Sequence, residues 1–523
     1  MLAWNSPTLS AISRDLTAQD ATSNALNVTA ATVLSDIRRG KLRSHHLSPV
    51  IVQTDLHQSL QDVLSPSYHF LELRRRAVKL LQKLYLASDY EVDSNYSQTC
   101  WGWVISISDL TGNSQALDMS LQSLCVVQSF VHGITASLEH SLHLYDTALQ
   151  KLREDVEDHD LKLSKETLAT IVVLSTTEMF LNRVDNSWQI HARGISEILK
   201  LRGHIVETSD TVWHNLCSRL QTICVLDGLI QRRSLLLTPD CWRKLQGKLQ
   251  GSNGVDLGKF DQLIDIASEV PVLLEETEGL LERPLGGLGS SPMQGVCLMR
   301  TFACILRRLC TWQERLRTND RSDRPLYWTV PSALSHSNQI EGSEVLFPRV
   351  LEFRSLNVAI PLLFAWAIRV QIYDNLIRIY SVIGRASSDI PSFREIFMPQ
   401  NENFANNTAN EYDYTVQGQV DPTFDDGPSM VSSFTEADRL SRLICQGLEY
   451  CHKSRMGLLG PQCTTFPSWA IRNYFRHHVG HERELQWCQG FRNMRGEGSR
   501  CGIETMTFTD IPDGEFRQVD WTV

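Results

Sequence analysis

The residues best spaced for chemistry in this chain are three histidines near its C-terminal end. His477 and His481 stand one helical turn apart, with His478 between them and Glu484 close by, so a helix there would put two imidazoles and a carboxylate on one face. That is a fragment of a zinc site. The order His481-Glu482-Arg483-Glu484 lacks the second histidine of a hydrolytic zinc helix, no third ligand is evident, and the cluster reads as a solvated polar face. Gly286, Gly287 and Gly289 make a glycine-rich stretch without a preceding strand or a following Lys-Ser/Thr, which reads as a linker and not as a phosphate cradle. No Gly-x-Ser-x-Gly nucleophile turn occurs. Cys-x-x-Cys is also missing, and the pairs Cys217/Cys224, Cys304/Cys310 and Cys445/Cys451 are spaced too widely for a metal knuckle, so they read as buried structural thiols. These residues yield no catalytic, metal or cofactor assignment, and the chain is not expected to be an enzyme.

The elements that would position any site are helices. The sharpest local pattern is Asn186 to Gly203, NSWQIHARGISEILKLRG. Asn186 and Gln189 form an N-terminal capping pair, and Gly203 behind Lys200 and Arg202 is a C-terminal stop, leaving about four turns of helix between them. Trp188, Ala192, Ile195, Ile198 and Leu199 share one stripe. His191 and Arg202 sit at its borders, and Gly194 falls where a neighbouring helix could approach closely. His191 reads as a hydrogen-bonding member of a helix hairpin and Arg202 as a cap on the helix carbonyls, so both are structural.

Trp188-x-x-His191-x-x-Gly194, then apolar pairs, then Arg202-Gly203, after a helix ending Glu178-Met179-Phe180, resembles the regulatory domain of fungal-specific transcription factors. Tyr145-x-x-Ala148-Leu149 resembles an earlier segment of that family. The run Asp261, Leu263, Ile264, Asp265 and Pro271 resembles a later one, and Pro467, Trp469, Phe475, Glu484, Trp487 and Phe491 its final helices. The likeness is collinear from about residue 68 to about 505. The resemblance implies an all-α body that senses a metabolite or partner and signals to the transcription machinery. In that family a zinc binuclear cluster of six cysteines usually precedes the domain and reads DNA, and here the corresponding region holds no cysteine.

Composition bounds the reading. A chain of 523 residues, 42% hydrophobic, can bury a large core, and its net charge of −10 argues against a surface devoted to nucleic acid. Thirteen cysteines without a dense framework, and an N-terminus without an apolar signal core, fit reduced thiols in nucleus or cytosol. The longest uninterrupted apolar run, 358–368, closed by Arg369 and Asp374, is about half of a bilayer crossing, so a soluble protein is expected.

Residues 1–65 are rich in Ser, Thr, Asn and Ala and read as a mostly disordered tail, with Arg38, Arg39, Lys41 and Arg43 a solvated basic stretch. Helical periodicity follows over 68–86, with Arg75, Arg76, Lys79 and Lys83 opposite the apolar stripe, and further helices are read over 138–152, 212–230, 260–270 and 296–316, with 117–130 a buried helix and 165–181 a helix apolar along most of its length. Residues 318–346 read as a polar surface loop, and 353–383 as the most hydrophobic helix, kinked at Pro361 and central to the fold. Residues 384–433 read as a mobile insert, and helices resume at Thr435.

The expected architecture is therefore all-α, an irregular multi-helix regulatory domain over residues 66–515 behind a tail at 1–65, with inserts near 318–346 and 384–433. The expected function is nuclear transcriptional regulation, as coactivator or repressor of a metabolic or secondary-metabolite gene set. The expected partners are a DNA-binding transcription factor or the transcription machinery, homo- or hetero-oligomers are compatible, and direct sequence-specific DNA binding and membrane association are not expected. The alternatives are a cytoplasmic helical scaffold and a truncated gene model of a full zinc-cluster factor.

Overall fold

The computed structural model describes residues 50–65, 69–86, 102–135, 137–158, 161, 164–181, 187–202, 211–246, 258–282, 292–318, 325–333, 346–386 and 430–494. Helices dominate. In chain order they are α1 (Val50–Leu64), α2 (Phe70–Leu84), α3 (Gly102–Ser106), α4 (Gln115–Val131), α5 (Glu139–Glu157), α6 (Lys165–Leu181), α7 (Ser187–Arg202), α8 (Thr211–Gln231) and α9 (Pro239–Leu245). They continue as α10 (Lys259–Ala267), α11 (Val270–Leu281), α12 (Pro292–Thr318), α13 (Leu356–Ala386), α14 (Met430–Cys451), α15 (Leu459–Cys463), α16 (Thr465–His477) and α17 (Glu482–Met494). A two-stranded antiparallel sheet, β1 (Tyr327–Pro331) with β2 (Arg349–Phe353), is inserted between α12 and α13. The fold is all-α.

Local chemistry accounts for many of the boundaries. Ser114 opens α4 by accepting from the Leu117 amide, and Thr238 opens α9 by accepting from the Cys241 amide, with Pro239 in the first turn. At the other end of α4, Gly133 takes φ +70°, and the Ile134 and Gly133 amides fold back onto the carbonyls of Ser129 and Phe130. This is a Schellman stop, in which the left-handed residue is free of the Cβ clash.

In the first half α4 packs on α2, α5 and α6, while α8 collects α3, α6, α7, α10 and α11. In the second half α13 is wrapped by α10, α11, α12, α14 and α16. One continuous apolar core runs through both halves, from Leu60 and Val63 to Phe491. Over 356–383, α13 is long and apolar enough to cross a membrane, and 94% of its apolar window is buried inside the protein. Its all-round hydrophobicity thus serves contacts with other helices.

Several expectations need correction. Part of the predicted tail is the helix α1, whose Leu56, Leu60 and Val63 turn inward while Gln122 of α4 donates to the Val63 carbonyl. The polar residues between those apolar positions hid the period. The rest of the tail, including Arg38, Arg39, Lys41 and Arg43, lies outside the described residues. The predicted loop at 318–346 contains β1, because Tyr327, Trp328, Thr329 and Val330 favour extended backbone. Phe353, expected in the long helix, ends β2 opposite Tyr327. The acidic segment after α5 is not all loop, since helix persists to Glu157. Likewise α14 starts at Met430, inside the predicted insert, of which 387–429 lie outside the described residues.

The small sheet guards its open edge. The Arg354 amide bonds to the Leu326 carbonyl and the Ser332 amide to the Pro348 carbonyl, so Trp328 and Val330 also face β2, and Thr329 and Pro331 face outward. Pro331 has no N–H to offer there, and Arg349 Nη2 occupies the Thr329 carbonyl at 2.9 Å. Both features discourage strand addition.

Candidate functional site

α13 carries the buried Arg369 and Asp374 and the half-buried Arg378, and each meets a different group of helices. Arg369 Nη2 donates to Glu436 of α14 at 2.7 Å, and Glu436 also receives Arg439 Nε at 2.7 Å. Gln313 of α12 accepts from Trp366 Nε1 at 3.2 Å and from Arg369 Nη1 at 3.3 Å. Arg378 forks onto Glu278 of α11 at 2.8 and 3.2 Å. Arg232, just past α8, brings its Nε within 2.5 Å of the same Glu278 and donates to Asn375. Arg232 does so with φ +52°, a conformation that costs a non-glycine residue roughly 1–2 kcal/mol. Its ion pair and hydrogen bond offset that strain.

Asp374 is the centre of the group. The His478 ring lies with Nε2 2.8 Å from Asp374 Oδ1, and both residues are buried. Burial by itself would raise the Asp374 pKa, but the hydrogen bond and charge of His478, with Arg378 and Arg232, outweigh it and hold the carboxyl at about 2. Glu278 is likewise depressed, its burial outweighed by Arg232 and Arg378. The Tyr474 ring lies 4.4 Å from the His478 ring, and Phe434 meets it edge-on at 5.4 Å. Burial, reinforced by Asp438 and Asp374, raises the Tyr474 hydroxyl well above its ordinary range.

A second layer continues toward the surface. His481 Nδ1 lies 3.6 Å from Asp438 and 3.8 Å from Glu484, while Arg442 reaches Asp438 at 3.0 Å and Glu484 at 2.6 Å. Burial lowers the His481 pKa, against the opposing pull of those two carboxylates. The two layers form one polar seam joining α8, α11, α13, α14, α16 and α17.

The histidine triplet at its rim differs from the sequence reading. The helix stops at His477, His478 is extended, and Gly480 takes φ +92° before α17 begins, so His477 and His481 do not share a helix. His477 is exposed, as a solvated face requires, but His478 is buried and the His481 side chain is mostly covered. Asp374 draws His478 inward, a contact between residues 104 positions apart that local spacing cannot reveal. Among the described residues no group of three or more His, Cys, Asp or Glu is arranged to hold a metal ion. With a carboxylate on one side and two aromatic rings around it, the His478 imidazole is placed to organise packing.

The residues singled out on α7 are partly visible. Asn186 and Gly203 lie outside the described residues, as do the side chains of Trp188, His191 and Arg202. Ala192, Ile195, Ile198 and Leu199 are buried as the stripe required. Gly194 is a correction: a Cβ there would meet nothing within 4 Å. The close approach to α8 is at Ser196, whose hydroxyl is 3.3 Å from the Cys224 thiol, itself 3.5 Å from the Ala192 carbonyl. Small side chains at 192 and 196 do what the glycine was expected to do. Cys217, Cys224, Cys445 and Cys451 are buried thiols, whereas Cys304 is exposed and Cys310 half-buried, contrary to the uniform burial expected. On α2 the basic face is partly neutralised, with Arg76 on Glu72 and Asp62 and Lys83 on Asp55.

Arg369, Asp374 and Arg378 carried the available signal for the seam, because charges inside the most apolar helix of a chain must find partners. The partners themselves left none. Comparison with models of protein families, with curated proteins and with solved structures gave no match.

Proposed function

We propose that this chain regulates transcription as an all-helical body that works through a DNA-binding partner, controlling a metabolic or secondary-metabolite gene set. The supporting observation is that the motifs resembling fungal transcription factor regulatory domains, from α2 to α17, fall in order on the helices of a single core, with Trp188-x-x-His191-x-x-Gly194 inside α7. The polar seam suits that role. Ion pairs that hold six helices in register give a body whose surfaces keep a fixed arrangement for partners, at a cost in stability relative to an apolar core.

The test is transcript profiling after deletion of the gene, combined with recovery of the tagged chain from chromatin. Loss of one co-ordinately expressed gene set, with chromatin association that disappears when a DNA-binding partner is removed, is the expected outcome. An unchanged transcript profile would end the regulatory reading. Sequence-specific binding to DNA by the purified chain would instead overturn its dependence on a partner.

A further inference from the structure

The last described helix, α17, meets α14 through side chains at two places. Arg442 meets Glu484 at 2.6 Å near its start, and the His452 ring meets the Phe491 ring at 5.6 Å near its end. Both contacts advance in the same chain direction along the two helices. Between them, one turn beyond Arg442 and one turn beyond Glu484, Cys445 and Cys488 stand on the facing sides, close enough for each thiol to act on the other. Both are free thiols, Cys445 fully enclosed and Cys488 8% exposed.

We propose that Cys445 and Cys488 are a modification site, a thiol pair that a hydroperoxide converts to a reversible disulfide fastening α17 to α14. Cys488, on the more open side, reacts first: its sulfur attacks one peroxide oxygen, the O–O bond breaks, and a sulfenic acid and water result when the oxidant is hydrogen peroxide. The Cys445 sulfur then attacks the Cys488 sulfur, the S–O bond breaks, and the departing hydroxide leaves as water with the Cys445 proton. Two thiols have lost two electrons and two protons, and one peroxide has become two waters. Burial, with Cys488 and Glu484 alongside, pushes the Cys445 thiol well above its ordinary range, which keeps it protonated until a sulfenic acid forms beside it. A dithiol reductant reverses the bond.

Contacts elsewhere distinguish this pair from the pairs that are near only in sequence. Cys217 and Cys224 lie on α8, and Cys304 and Cys310 on α12, each separated along a single helix by roughly 9–10 Å of rise, beyond the reach of a disulfide. Cys445 and Cys488 come from two different helices whose side chains meet. Their bond would close a loop of roughly forty residues, which limits the unfolded chain more than the folded one.

The experiment uses the full-length chain, reduced, exposed to hydrogen peroxide, blocked with N-ethylmaleimide and digested without reductant for mass spectrometry. A peptide pair joined through Cys445 and Cys488, absent after dithiothreitol and absent in Cys445→Ser and Cys488→Ser, is expected. The unfolding midpoint of the oxidised wild-type chain should rise by about 5 °C and return on reduction. Recovery of Cys488 as sulfinic acid with Cys445 still alkylated, or links confined to other cysteines, would overturn the proposal. The joined peptide is read on the wild-type chain, so the outcome stands even where a serine variant fails to fold. It is also independent of whether the chain regulates transcription.

Discussion

Asp374 is a carboxyl group that folding makes a stronger acid. Its folded pKa near 2 lies below the ordinary value of 3.8, so its contribution to stability is present above about pH 4 and is lost as pH falls toward 2. Replacing it with Asn should cost about 2–4 kcal/mol at neutral pH and flatten that acid limb in urea unfolding measured across pH. An unchanged limb would remove Asp374 from the centre of the seam. Asp227 on α8 has the opposite sign. Burial raises it to about 6 against the pull of Arg233 and Arg193, so the folded chain holds the extra proton and its stability falls as pH rises from about 4 through 6. Asp227→Asn should therefore stabilise the chain by about 1 kcal/mol at pH 7, read as a higher urea midpoint, and a lower midpoint would refute it. In the sequence Asp374 is visible as a charge ending an apolar run, but Asp227 only as one more residue on a helical stripe. The sign of each shift comes from neighbours brought in by folding.

At the scale of elements, α13 and α14 approach each other closely at Gly447. A Cβ there would stand 2.8 Å from Leu363 Cδ2 and 3.2 Å from Phe353 Cζ, both in a packed core. Gly447→Ala would otherwise gain up to about 1 kcal/mol of helix propensity, so the overpacking has to exceed that gain for the variant to be destabilised. We expect a net loss of about 1–2 kcal/mol, measured as a lower thermal midpoint, and a midpoint at or above wild type would show that Leu363 gives way. The helices α4, α6 and α13 were legible from their hydrophobicity, and α8 and α12 from their periods. The strands were hidden because five extended residues without alternation look like a polar loop until a second segment pairs with them. The α16 to α17 turn was missed for a related reason, since the histidine spacing fits a continuous helix and only Gly480 hints at a break.

For the whole molecule, the early and late parts of the chain close on each other at Tyr85. Its carbonyl accepts from the Leu459 amide at 2.9 Å, its hydroxyl donates to Gln462, and Gly457, at φ +59°, passes so close that a Cβ would lie 2.5 Å from that carbonyl oxygen. Phe364 packs on Phe466 at 5.6 Å in the same body. Removing the chain from residue 454 onward should therefore strip α2 and α13 of part of their packing and abolish cooperative unfolding, while helical content partly survives. Near-ultraviolet circular dichroism and a thermal melt would check this. A sharp transition in the truncated chain would mean that the residues before 454 fold without the last helices.

Composition and periodicity alone determined that this is a helical protein with a large core, that its most apolar helix is central, and that one face of α7 is buried. These follow from which side chains water excludes, and that is written locally at intervals of three and four residues. Tertiary structure alone decided that His478 belongs to Asp374, that Arg232 and Arg378 share Glu278, and that Cys445 lies beside Cys488. Each of those pairs joins segments far apart in the chain, and a charge or thiol chooses its partner by the distance that packing leaves between them.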